Sequence, residues 1–182
     1  MPITPTEFVP PGTSATFPDG DFVVKPAVGA GSRDAASYRV DQYDSARGHV
    51  DRLHESGQTA LVQPFLKSVS SEGEWPLVFI DGRFSHAARK RVTLPRAGVV
   101  HDLFAAETNA VHVASAAQID VAGGAIDLVS ARLGTPTYAR VDLVRNDSGQ
   151  FCVLELELIE PSLFLPYTDP GAADRFVSAL VR

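Results

Sequence analysis

The chain has 182 residues with 16 basic and 22 acidic side chains, a formal charge of −6, and 45% hydrophobic residues. That is enough apolar material for a real core, and the negative balance argues against holding a nucleic-acid backbone by bulk attraction. One cysteine, Cys152, excludes an internal disulfide framework and a multi-cysteine zinc site, and no apolar run reaches the roughly 18 residues of a membrane span. The expectation is a soluble protein of a reducing compartment, the cytoplasm, without nucleic-acid or membrane partners.

Residues 1–20 are rich in proline (Pro2, Pro5, Pro10, Pro11, Pro18) and read as an extended lead-in. Asp21 to Lys25 reads as a short strand closed by Pro26, and Ser37 to Val40 can pair with it across the turn material Gly29-Ala30-Gly31-Ser32. Asp44 or Ser45 is placed to cap a helix whose Ala46, Val50 and Leu53 keep helical spacing, and Gly57 stands where a C′ glycine belongs. Ala60 to Phe65 reads as a buried strand, and Lys67 to Glu74 as a polar loop. Asp81-Gly82, between the apolar runs 76–80 and 83–89, is a hairpin signal.

Residues 96–113 read as a long surface connection rather than a substrate-facing loop. Residues 114–133 read as a helix with Ala117, Val121, Ala125, Leu128, Val129 and Leu133 on one stripe, ended by Gly134. Thr137 to Arg145 and Gln150 to Ile159 form a second hairpin around Asn146 to Gly149, and a short helix over 171–180 closes the chain. Strand hairpins with a few packing helices imply an α+β architecture. The chain divides near Val62 to Leu66 into a lobe of residues 1–62 and a lobe of residues 63–182.

Several nucleotide and hydrolase signatures are missing. There is no Walker-type phosphate loop, Gly29-x-Gly31 lacks the third glycine of the dinucleotide fingerprint, and no G-x-S-x-G elbow is present. His49, His54, His86, His101 and His112 show no ligand spacing and read as ordinary surface or core histidines. Two features remain. Lys25 at a strand end, followed by Gly29, Gly31 and Ser32, offers a point charge and close backbone N–H groups to phosphate oxygens; an exposed lysine beside a flexible turn fits the same residues. Glu155 and Glu157 share one strand face, and Asp142 reaches that face if the second hairpin forms. Three carboxylates together call for a hard cation such as magnesium. A solvated acidic sheet face, with Leu154, Leu156 and Leu158 turned to the core, is the alternative.

Ala139-Arg140-Val141-Asp142 and then Leu154 to Pro161 resemble the metal-binding end of the ATP-grasp superfamily, the carboxylate–amine ligases that include D-alanine–D-alanine ligases and glutathione synthetases. Val23-Val24-Lys25-Pro26 with its glycine loop resembles that family's phosphate lysine and phosphate-covering loop. Val62 to Phe65 resembles its interlobe adenine segment, and Phe84 to Lys90 its arginine-bearing strand. The runs Ser85 to Lys90 and Leu154 to Leu165 are most similar to a glutathione-synthetase-like branch, which includes an enzyme that closes O-ureido-serine into a ring.

The resemblance implies two α+β lobes with antiparallel sheets and ATP held between them. It implies that Lys25, Gly29, Gly31 and Ser32 meet the nucleotide phosphates, that Gln63, Pro64 and Phe65 line the adenine pocket, and that Glu74 binds near the nucleotide. Arg89, assisted by Lys90, would stabilise the phosphoryl group in flight, and Asp142, Glu155 and Glu157 would hold one or two Mg2+ ions. The family usually has asparagine where this chain has Glu157, which adds a negative charge. The implied activity is an ADP-forming, magnesium-requiring ligation of a small-molecule carboxylate with an amine, or a cyclisation, through an acylphosphate. Phosphoryl transfer asks for positioning and charge neutralisation more than a protein nucleophile, so Cys152 reads as a packed strand residue. Such ligases place another phosphate lysine and a substrate domain ahead of the Lys25 position. The chain is therefore expected to lack a front end, or to act as a second copy's partner. An ATP/Mg-binding module inactive alone, and a non-catalytic acidic scaffold, are the other readings.

Overall fold

The computed structural model describes residues 1–29, 31–92 and 107–181. The chain forms two compact units, one built from Thr4–Leu66 and the other from Met1–Ile3, Lys67–Arg91 and Thr108–Arg182. Among the described residues no helix is long and apolar enough to cross a membrane.

In the first unit, strands β1 (Glu7–Val9), β2 (Phe22–Pro26), β3 (Ala36–Tyr38) and β4 (Ala60–Pro64) form a sheet in the order β1-β4-β2-β3, with helix α1 (Tyr43–Glu55). The strand expected at 21–25 pairs antiparallel with β3, Phe22 opposite Tyr38. The proline-rich lead-in contributes a strand that sequence reading did not resolve, because Glu7 to Val9 pairs with β4. Phe22, Val24, Ala36, Ala46, Val50, Leu53, Ala60 and Val62 make the core. Helix α1 is capped two residues ahead of Asp44 and three ahead of Ser45, the expected caps. Gln42 is its N-cap and makes no capping bond to the helix, its side-chain oxygen instead accepting from the Arg39 N–H at 2.8 Å. Tyr43, the first helical residue, stacks on Phe17, ring centroids 5.6 Å apart. Gly57 does close the helix, at φ +76°, with its N–H on the His54 carbonyl and the Gln58 N–H on that of Leu53.

His49 of α1 is 1% exposed. Its Nδ1 accepts from the Tyr38 hydroxyl at 2.9 Å and its Nε2 donates to the Asp34 carbonyl at 3.1 Å, so the ring is neutral. Burial, aided by the Arg52 charge, pushes its pKa down to about 4. The unfolded chain takes up a proton below about pH 6.5 while the folded chain does not, so this stability is full above that pH and is lost as pH falls through 4. Urea titrations are expected to show the wild type losing up to about 3 kcal/mol between pH 7 and 4 relative to His49→Gln, which should lack this slope.

The second unit begins with α2 (Lys67–Ser71), a short helix inside the expected polar loop, followed by β5 (Trp75–Ile80), β6 (Arg83–Val92), β7 (Glu107–His112), α3 (Ala116–Leu133), β8 (Tyr138–Arg145), β9 (Phe151–Glu157) and α4 (Gly171–Leu180). The sheet order is β7-β6-β5-β8-β9. Both expected hairpins form. Asp81 and Gly82 have φ of +54° and +72°, the geometry a tight two-residue hairpin turn requires. Asn146 organises the other turn by accepting from the Ser148 and Gln150 N–H groups. The connection expected over 96–113 lies mostly outside the described residues, apart from β7.

Helix α3 packs on Leu77, Phe79, Val141, Leu143 and Val153, and Ser115 starts it with a reciprocal capping box to Gln118. Its buried face differs from the expected stripe. Gln118, Ala122, Ala125 and Ile126 are buried, whereas Leu128 and Leu133 are 51% and 78% exposed. The run is apolar nearly all round, so periodicity cannot select the phase; small Ala122 and Ala125 let the helix sit close to the sheet, and the leucines go to the rim.

Strand β9 also departs from simple alternation. Asp142 pairs with Glu155 but Leu143 with Val153, leaving Leu154 as an extra residue in a bulge. Val153 therefore joins the core and Leu156 is 38% exposed, correcting the expectation that Leu154 and Leu156 face inward; Leu158 does pack against the core. Cys152 is a buried free thiol, as expected for a packed strand residue.

Candidate metal and nucleotide site

The β8–β9 pairing puts Asp142 opposite Glu155 and Arg140 opposite Glu157. One carboxylate oxygen each from Asp142, Glu155 and Glu157 lies within 4.8 Å of the others, so the structure brings the three expected acids together. The bulge at Leu154 supports this, because it keeps Val153 in the core while Glu155 and Glu157 take the Asp142 face.

Two cations close the cluster, Lys90 from β6 and Arg140 from β8 itself. Lys90 Nζ is 2.7 Å from Glu74 Oε2 and 3.3 Å from Asp142 Oδ2. Arg140 donates from Nε to Asp142 Oδ1 at 2.7 Å and from Nη2 to Oδ2 at 3.0 Å, and the same Nη2 bonds Glu157. Glu74, Lys90, Arg140 and Asp142 are all buried, so the charges sit where Coulomb terms are weakly screened. Burial alone would raise Asp142, but the Lys90 ammonium and the Arg140 guanidinium outweigh it and hold the carboxyl below its usual range. Burial pushes Glu74 up, with Asp142 and Glu155 adding repulsion and Lys90 opposing. Glu157 is also raised, by burial and by Asp142 and Glu155, against Arg140. Burial lowers Lys90 and Arg140, yet the facing carboxylates carry both above their ordinary values.

Four carboxylates face two cations here, an excess of two negative charges when all are ionised. An excess of carboxylate charge, with oxygen as the only donor type, suits a hard cation such as magnesium. Arg140 is the member that sequence reading left without a role, although it lies inside the Ala139 to Asp142 motif. The available signal was its place two residues from Asp142, on the same strand face.

Arg89 follows a different course. Alternation along β6 sends it to the face opposite Lys90, and its Nε donates to the Glu72 carbonyl at 2.5 Å. Lys90 reaches the carboxylates and Arg89 does not. Glu74 sits at the same strand end as Lys90, the two exchanging backbone hydrogen bonds at 2.7 and 2.9 Å. Gly73 makes that exchange feasible. At φ +85°, a Cβ there would lie 2.5 Å from the Lys90 carbonyl oxygen. Gly73→Ala is expected to cost about 2 kcal/mol or more, read by urea unfolding, and to displace Lys90 from Glu74.

The remaining expected residues lie in the Thr4–Leu66 unit. Lys25 is half-buried on β2, opposite Leu61. Gly31, Ser32 and Asp34 take left-handed φ of +60°, +61° and +55°, and Gly29 precedes them, its ideal Cβ 3.2 Å from Pro26. Gln63 is buried, its amide donating to Thr6 Oγ1 at 2.8 Å. Pro64 ends β4, and the Phe65 N–H donates to the Asp21 carbonyl at 2.8 Å. Of the histidines, His54 bonds the Val9 carbonyl at 3.0 Å and His112 bonds Gln118 at 3.0 Å; His101 lies outside the described residues.

No protein-family profile matches the chain. The cycloserine biosynthesis protein DcsG of Streptomyces lavendulae is 37% identical over 193 aligned positions, which cover 99% of this chain and 64% of that protein. The crystal structure of D-cycloserine synthetase DcsG superposes with a TM-score of 0.86 at 36% identity, over 98% of this chain and 64% of that one. D-alanine–D-alanine ligase from Bacillus anthracis, complexed with ATP, gives 0.66 at 17% identity over 99% of this chain and 59% of its own. The ATP-grasp ligase PsnB, with a precursor variant, Mg and ADP, gives 0.58 at 18% over 99% and 54%. The chain thus has the α+β ATP-grasp fold, in agreement with the resemblance read from its motifs, and it spans slightly less than two thirds of the length of the DcsG protein it matches.

Proposed function

We propose that this chain, with the ATP-grasp fold as premise, is the nucleotide- and magnesium-binding part of an ADP-forming ligase that joins a small-molecule carboxylate to an amine or closes a ring. The observation that carries the reading is the convergence of Asp142, Glu155 and Glu157 with Lys90 and Arg140, of which Asp142, Lys90 and Arg140 are buried. The 37% identity to a cycloserine biosynthesis protein supports the ligase class.

In this reading Asp142, Glu155 and Glu157 hold one or two Mg2+ ions, which when bound screen the phosphate oxygens. A substrate carboxylate oxygen attacks the γ-phosphorus and the bond to the ADP oxygen breaks. The amine nitrogen then attacks the acyl carbon, phosphate departs with its oxygen, and the amine proton passes to solvent. Lys90 supplies positive charge beside the carboxylates. Lys25, Gly29, Gly31 and Ser32 carry the phosphate-contacting roles, Gln63, Pro64 and Phe65 the adenine contacts, Glu74 a place near the nucleotide, and Arg89 charge stabilisation, each from the motif resemblance. The cytoplasm, where ATP and magnesium are abundant, is the compartment in which this chemistry would run.

The test is ATP consumption with hydroxylamine as acceptor, over an amino-acid panel that includes O-ureido-serine. ADP and a hydroxamate with one acid are the expected result. The coverage of 64% of DcsG favours a second reading, a module that binds ATP but needs further chain to turn over. Calorimetric binding of Mg-ATP with no ADP from any acid would select it. No binding and no turnover would leave the acidic-scaffold reading.

A further inference from the structure

His86 takes no part in the reading above, yet it sits on the sheet face of Lys90, four residues earlier on β6. The ring is 6% exposed. A continuous chain of hydrogen bonds fixes its orientation. Arg175 holds the Asp169 carboxylate with Nη1 and Nη2 at 3.0 and 2.8 Å, and its Nε donates to Ser85 Oγ at 2.9 Å. Because a guanidinium only donates, Ser85 Oγ accepts there and directs its own proton to His86 Nδ1, 2.9 Å away. The imidazole proton is then on Nε2, which donates to the Leu163 carbonyl at 2.7 Å. Burial, first, and the Arg175 charge lower the ring's pKa against the Leu163 hydrogen bond and the Asp169 charge.

Leu163 lies in the segment that leaves β9 after Glu157. Its two neighbours both touch Arg140. The Ser162 carbonyl accepts from Arg140 Nη1 at 3.3 Å, and the Phe164 ring lies 5.5 Å from the guanidinium carbon. Phe164 is 5% exposed and left-handed at φ +52°, a conformation that a bulky residue keeps only when its surroundings impose it. Its carbonyl accepts from the Tyr167 N–H at 2.8 Å.

We infer that His86 is a positioning residue: through Leu163 it fixes residues 162–164 against Arg140, and Arg140 in turn aims Asp142 and Glu157 at the cation. The inference rests on the proposal that these carboxylates hold a metal–nucleotide. Groups that orient metal-binding side chains change metal affinity by about tenfold or more when removed.

The experiment compares wild type with His86→Leu, His86→Gln and Arg175→Met, measuring Mn2+–ADP affinity by calorimetry and amide exchange at Tyr167. The expected result is about tenfold weaker Mn2+–ADP binding and faster Tyr167 exchange in His86→Leu. His86→Gln, whose amide can still donate to Leu163, should restore most of both. Arg175→Met, remote from the carboxylates, should shift both in the same direction by a smaller factor, and with His86→Gln it decides the matter if His86→Leu does not fold. Unchanged affinity and unchanged exchange in the variants, or a glutamine variant no better than leucine, would overturn the inference. If wild type binds no Mn2+–ADP, the nucleotide reading fails, and faster Tyr167 exchange in the variants would still support the positioning of residues 162–164.

Discussion

Asp142→Ala is expected to lower the unfolding free energy by about 3–5 kcal/mol, the usual cost of leaving buried charges without their partner. For a chain of this size that is a fall in Tm of roughly 10 °C. Asp142 is fully buried and takes three contacts, two from Arg140 and one from Lys90. The alanine variant strands both cations on the sheet face, with Glu74 and Glu157 as their remaining partners. The effect carries a pH signature. Asp142 is held below its ordinary pKa, so it adds stability above about pH 4, and that stability is lost as pH falls through its folded value. Urea titrations of wild type and variant should therefore differ most at pH 7 and draw together as pH falls below about 4. A difference that stays constant across that range would mean the loss is packing rather than charge.

Glu155→Gln is expected to move stability and binding in opposite directions. Glu155 adds repulsion at Glu74 and Glu157 and attraction at Lys90 and Arg140. Because four carboxylates face two cations, the repulsion leads, and neutralising Glu155 should raise stability in metal-free buffer by about 1 kcal/mol at most, read as a higher Tm. The same substitution removes one of three oxygen donors and should weaken Mn2+–ADP binding by about 100-fold, a change in binding free energy of about 2.7 kcal/mol. A face selected only for solvation would show the stability gain without the binding loss. Opposed signs are what a site produces when it concentrates like charge for a cation to neutralise.

Much of the site was legible because its signals are local. Asp81-Gly82 and Asn146 to Gly149 set two hairpins by backbone chirality alone, and the Glu155/Glu157 spacing places two acids on one strand face whatever the fold. Lys25 ahead of left-handed Gly31 and Ser32 was likewise visible as a strand end followed by a turn. The helix α3 phase was not legible, since its apolar residues surround the axis and only contact with the sheet chose Ala122 and Ile126 over Leu128. Nor was the choice between Arg89 and Lys90. Adjacent residues on a strand point to opposite faces, and the sequence does not say which face meets Asp142.

By itself, then, the sequence determined the strands other than β1 and β7, the hairpin turns and which acidic residues could converge, because φ/ψ preference and side-chain period act over a few residues. Only the tertiary structure decided which charges are partners. Lys90 and Asp142 are 52 positions apart, and Glu74 meets Lys90 across a strand pair. Desolvation and Coulomb energy depend on burial and distance in space, so the sharing of Asp142 by Lys90 and Arg140, and the pinning of residues 162–164 by His86, exist only once β5, β6, β8 and β9 lie side by side.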